Sequence, residues 1–190
     1  MNYQTMLLKL AAVVLCLAHA AAAQVDDKWR AADAQTVRLS PSAFPQLPRA
    51  VARALARRGC TIPQAFHPPS PHNVISGEFA RRGQTDWAVL CSRRRSSSIL
   101  VFWRGSARSV SEIARAADIS FLQGVGGDRI GFSRAIGAAD RKKILACYAE
   151  FGGPKPPAIN HHGIEDAYVD KASSVHYFHR GRWLELQGAD

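Results

Sequence analysis

Apolar and polar positions along this chain fall mostly in short runs broken by glycine, proline and basic turns, a pattern of strands more than of long helices. "NVISGEF" and "DWAVLCS" lie on either side of a basic loop and predict two strands. "SSSILVFW" predicts a third, turned by "RGS", and "EDAYVDK", "SSVHYFHR" and "RWLELQG" predict three closing strands. "FLQGVGGDRIGFSRAIG" is glycine-rich with short strand character, and "FHPPSPHN" is a proline-rich loop. Helical spacing is confined to a few places. Leu47, Val51, Ala54 and Leu55 recur on one helical face, which predicts a helix from Ser42 or Pro45 to Arg58, stopped by Gly59. Ser109 and Glu112 stand three apart in "SVSEIARAAD", a capping-box pattern that predicts a short second helix. Asp140 caps a third, which ends near Phe151 at Gly152, Gly153 and Pro154. Residues 24–41 are polar and weakly patterned and read as a loose lead-in. The expected class is α+β, mainly short antiparallel strands with two or three helices, in a single domain over residues 42–190.

An internal likeness runs through the strand regions. "GQTDWAVLCSRRRSSSILVFWRG" aligns with "GIEDAYVDKASSVHYFHRG". Gly83 matches Gly163, Asp86 matches Asp166 and Val89 matches Val169. Beyond a connecting turn of different length, Ile99 matches Val175, Phe102 matches Phe178, and Arg104-Gly105 matches Arg180-Gly181. Two related β-hairpin units follow, over residues 77–105 and 157–183.

In the first unit, Gly77, Glu78, Phe79, Gly83, Asp86, Ala88 and Val89 fall on the pattern of a known repeat; in the second, Asn160, Gly163 and Asp166 do. The segments resemble degenerate FG-GAP or VCBS repeats of integrin-like β-propellers. The resemblance covers about a third of the chain beyond residue 23. It implies β-hairpin units in a partial propeller-like sheet, since two units cannot close a propeller. Family loops often bind calcium through converging carboxylates. Here Ala80 and Arg82 occupy expected ligand positions in the first loop, and a guanidinium repels a cation. The second offers Asn160, His162 and Asp166, with a single carboxylate and an imidazole suited to softer metals. Both loops are therefore read as metal-free turns. Gly83 and Gly163 shape them, and Asp86 and Asp166 accept hydrogen bonds from loop amides. Asn160, His162 and Asp166 remain the weak metal candidates.

Residues 1–23, "MNYQTMLLKLAAVVLCLAHAAAA", place a lysine, an apolar run and small residues in the order of a secretory signal peptide. Cleavage after Ala23 is expected, with Ala20 as the alternative. The expected location is periplasmic or secreted, with no membrane span once the signal is removed. Three cysteines follow the signal: Cys60 ends a helix, Cys91 ends a strand and Cys147 lies within a helix. An oxidising compartment permits one bridge, expected between Cys60 and Cys91, with Cys147 buried as a small apolar residue.

The formal net charge is +10. A basic exported chain meets anionic envelope polymers or acidic proteins more readily than nucleic acid. Candidate binding residues are Arg81 and Arg82 in the first loop, Arg93, Arg94 and Arg95 in the next turn, and Arg141, Lys142 and Lys143 at a helix start. Positive charge in a first turn opposes the helix dipole, so the last group has no stability rationale. His176 and His179, three apart on a strand, point to opposite faces and cannot share a simple metal site. "GFSRA" around Ser133 lacks the strand–helix context of a nucleophile elbow, and "GVGGD" lacks the lysine of a phosphate loop. No catalytic residue is assigned and no cofactor is expected. The reading is an exported, non-enzymatic binding or inhibitor module for a periplasmic protein. An enzyme acting on envelope material and an electrostatic binder of anionic envelope polymer are the alternatives.

Overall fold

The computed structural model describes residues 27–67 and 69–189. The expected signal segment, its cleavage positions and residues 24–26 of the lead-in lie outside them. The described residues form an α+β fold with three helices and twelve short strands, all paired antiparallel. Helix α1 covers residues 27–35, and β1 (Arg38–Leu39) pairs with β2 (Ile62–Pro63). Helix α2 is Arg49–Arg57. β3 (Val74–Gly77), β4 (Asp86–Arg93), β5 (Ser96–Phe102) and β6 (Val110–Ala117) form a four-stranded meander. β7 (Leu122–Gly124) and β8 (Ile130–Phe132) make a small hairpin. β9 (Arg134–Ala139), β10 (Gly163–Tyr168), β11 (Ala172–His179) and β12 (Arg182–Gln187) form a second meander, with helix α3 (Arg141–Phe151) between β9 and β10.

Strand alternation sorts the side chains into layers. Val89, Cys91, Leu100 and Phe102 leave one face of the first meander and pack against Val51, Ala54 and Leu55 of α2. Ala88, Leu90, Ile99 and Val101 leave the other face and meet Ile136 and Ile164 of the second meander. The far face of that second sheet gives Val175, Tyr177 and Leu186 to Ile144 of α3. The order is thus helix, sheet, sheet, helix. Cys60 and Cys91 are joined by a disulfide between the segment after α2 and strand β4, inside the first layer. Cys147 is free and lies on the buried face of α3.

The structure corrects three element predictions. The segment predicted as a helix from Ser109 instead forms strand β6, Val110–Ala117. Glu112, whose expected cap partner was the Ser109 amide, instead accepts from Ser98 Oγ at 2.7 Å and pairs with Arg115. Pairing of Ile113 with Ile99 and Val110 with Phe102 outweighs the local cap signal. The lead-in is structured from residue 27. Trp29 and Ala32 of α1 pack on the inter-sheet core, and Arg38 joins Asp33 at 2.6 Å to the buried Asp118 at 2.9 Å. The predicted first helix begins at Arg49, because Pro41–Ala43 turn as a separate 3-10 segment and Pro48 supplies the cap position.

Candidate functional site

The loop between β3 and β4 is organised around Asp86, which is fully buried. Its Oδ2 accepts the amides of Phe79 at 3.1 Å and Ala80 at 2.9 Å, while Oδ1 accepts the amide of Arg104 at 2.8 Å and Gln84 Nε2 at 2.8 Å. One carboxylate therefore holds both the basic loop and the turn after β5. Gly83 has φ +78°, a left-handed conformation that glycine adopts without steric cost. This geometry leaves Arg81 and Arg82 exposed on the outside of the loop.

The second loop docks against the first. His162 donates its backbone N–H to the Glu78 carbonyl at 3.0 Å, and its Nδ1 accepts the Glu78 amide at 3.2 Å. Gly77 permits this approach, since a Cβ there would lie 3.2 Å from His162 Nδ1 and 2.8 Å from the Phe79 ring. His161 stacks on Tyr177 with ring centroids 4.3 Å apart and planes inclined by 5°. Tyr177 Oη accepts the Asn160 amide and donates to Asn160 Oδ1, both at 3.2 Å.

The docked loops and the start of α3 enclose an open cavity of about 410 Å3, with Arg82, Arg141, His161 and His162 in its wall beside Glu78 and Asp140. Asp140 caps α3 by accepting the Lys143 amide at 2.8 Å. Arg82 and Arg141 are exposed and form no ion pair with a carboxylate of the described residues. The arrangement offers two guanidinium groups and the His162 Nε2–H to an acceptor from outside, while His161 is buried against Tyr177 and donates Nδ1–H to the His162 carbonyl at 3.0 Å; the guanidinium pair suits carboxylate recognition.

Not all the candidate cations join this site. Arg81 and Lys142 are exposed nearby in sequence, while Lys143 pairs with Glu165. Arg93, Arg94 and Arg95 lie at the other end of β4, where Arg95 reaches Asp33 at 2.7 Å and Arg93 stands 3.7 Å from Glu112. Arg94 and Arg95 form the β4–β5 turn at φ 51° and 59°.

Asp166 and Gly163 do not repeat the duties of Asp86 and Gly83. Strand register explains why. Ile99 pairs with Leu90, and its match Val175 pairs with Glu165. Counted back from those pairs, His161 takes the place of Asp86, and Asp166 falls opposite Ser174 inside strand β10. Asp166 accepts no loop amide. Its carboxylate receives Arg134 Nε at 2.8 Å and Nη2 at 2.7 Å. Gly163 opens β10, where a Cβ would meet Val175 Cγ1 at 2.5 Å, so it serves close strand packing instead of a turn. The metal candidates do not converge either: Asn160 is held by Tyr177, His162 by Glu78 and Asp166 by Arg134.

Sequence reasoning missed Arg134, which is 1% exposed. Its Nη1 also donates to the Ser97 carbonyl and Oγ at 3.2 and 3.1 Å, and its Nη2 to the Ala114 carbonyl at 2.6 Å. It thereby ties the second sheet to the first. The available signal was an arginine inside the apolar alternation of "GFSRAIG". Burial pushes the Asp166 carboxyl up, but the Arg134 bonds and the nearby His176 together hold it below its ordinary value. Ser133 is buried and donates Oγ–H to the Phe121 carbonyl, a local structural bond.

Comparison with protein-family models, with curated proteins and with solved structures finds no match.

Proposed function

We propose that the protein is an exported, non-enzymatic binding module that recognises an acidic segment of a protein partner through the Arg82–Arg141 cavity. The observation that carries this reading is the convergence of Arg82 and Arg141, from separate halves of the chain, on one wall. Both are exposed, and neither neutralises a carboxylate of the described residues. Arg141 occupies the first turn of α3, where the helix dipole disfavours it. A cation there has no compensating carboxylate among the described residues and is available to a partner. The docked loops preorganise the wall, since Asp86 and the two-way His162–Glu78 contact fix both backbones before any partner arrives. A buried disulfide supports an oxidising destination, periplasmic or secreted.

The test is capture from a cell-envelope extract with wild type and with the double variant Arg82→Glu, Arg141→Glu. The reading expects a discrete protein retained by the wild type and lost from the variant, with both folded by circular dichroism. The net charge of +10 favours a second reading, an anionic envelope polymer. That reading expects unselective retention that falls steeply with salt and depends on total charge more than on these two arginines.

A further inference from the structure

A second cavity, of about 430 Å3, opens between the two sheets, lined by residues of the edge strands β6 and β12 and floored by Arg134 and Asp166. Arg134 directs all five of its N–H donors at protein acceptors. One of these is the Ala114 carbonyl, presented by a β-bulge in which Ala114 holds φ +52°. A side-chain-bearing residue in that region is strained, and such bulges concentrate beside binding sites. The floor is electrically balanced, because Asp166 neutralises Arg134.

Two ring nitrogens in the same cavity wall lack a hydrogen-bond partner. His176 Nε2 and Trp183 Nε1 are buried and make no hydrogen bond to a described protein atom. His176 is 7% exposed, and its Nε2 stands 3.6 Å from Asp166 Oδ2, too far for a hydrogen bond. The two side chains are diagonal neighbours on one sheet face, since His176 pairs with Glu185, two residues beyond Trp183. A buried donor without a partner is destabilising. An indole N–H can only donate, so what complements it is an acceptor. Ile113 and Phe121 supply an apolar wall beside them.

We infer that this cavity is a ligand site for a compact, uncharged molecule whose amide carbonyl oxygen accepts from Trp183 and His176 while its apolar portion contacts Ile113 and Phe121. Balance on the floor argues against a charged ligand, and an acetamido group carries a strong acceptor beside a methyl. That chemistry has two sources, an N-acetylated sugar and an acetylated peptide end.

The test follows the four indole N–H signals of the nitrogen-15-labelled chain, with Trp183 assigned by Trp183→Phe. N-acetylglucosamine and N-acetylalanine amide are titrated separately, with glucose as the control. The site expects a saturable shift of the Trp183 indole signal with one or both acetamides and none with glucose; which of them acts names the source. His176→Phe should weaken that binding roughly tenfold, the effect of one lost hydrogen bond. Ile113→Trp, which fills the cavity, should abolish the shift while the indole signals of Trp29, Trp87 and Trp103 report an intact fold. No saturable shift with either acetamide, an equal shift with glucose, or unchanged affinity in both variants overturns the inference.

Discussion

Arg134 grips Asp166 in a two-pronged ion pair, Nε to Oδ1 at 2.8 Å and Nη2 to Oδ2 at 2.7 Å, between diagonal positions of strands β9 and β10. The arginine is 1% exposed and the aspartate side chain 10%. Removing either partner strands a charge in the inter-sheet layer. Arg134→Ala and Asp166→Ala should each destabilise by about 3–5 kcal/mol in denaturant melts. Replacing both with apolar residues should recover much of that loss, because no lone charge then remains buried.

Acid should expose the same pair. The folded-state Asp166 carboxyl sits below its ordinary value of 3.8, so the unfolded chain binds its proton first as pH falls. The stabilisation is therefore complete above that value and is lost as pH drops through the folded-state value. Urea midpoints measured from about pH 5 to pH 2 should fall for the wild type and fall less steeply for Asp166→Asn. Equal slopes would show that another carboxylate dominates acid unfolding.

Asp86 and Arg82 share a loop but differ in duty. Asp86→Ala leaves three amides and the Gln84 side chain without their acceptor and should cost about 3 kcal/mol. Arg82→Ala removes an exposed side chain and should cost less than about 0.5 kcal/mol. Denaturant melts of the two variants compare them directly, and an unchanged midpoint for Asp86→Ala would refute its organising role.

The Cys60–Cys91 bridge spans a sequence separation of 31 residues. Chain entropy gives it roughly 3–4 kcal/mol of stabilisation, which should disappear in the Cys60→Ala, Cys91→Ala variant. Cys147 is buried, and that burial pushes its thiol above the ordinary value. Its reaction with a thiol reagent should be slow in native buffer and fast in denaturant; rapid native labelling would contradict its placement.

The legible part of this fold was the part set by neighbours in sequence. The apolar runs in "DWAVLCS" and "SSSILVFW" match β4 and β5, which are buried on both faces, and Asp140 caps α3. Local signals misled where sheet pairing decided the outcome, as in β6, whose cap pattern yielded to pairing with β5. The matching of Asp86 to Asp166 failed because the two hairpins differ in register, and register depends on which residues face each other across the sheet. The Arg134–Asp166 pair needs β9 and β10 to be neighbours despite the helix between them. The cavity with Arg82 and Arg141 needs two loops to dock through His162 and Glu78. Neither contact has a local signature.

Recognition of a protein partner at the Arg82–Arg141 wall is tested most directly by photo-crosslinking in cells. A photoreactive amino acid is placed at position 81, the exposed neighbour that leaves Arg82 intact, in one variant and at position 94, at the opposite end of β4, in another. The account predicts an adduct of discrete mass from position 81 and none from position 94. Adducts of equal yield from both positions, or a polydisperse smear from position 81, would contradict it.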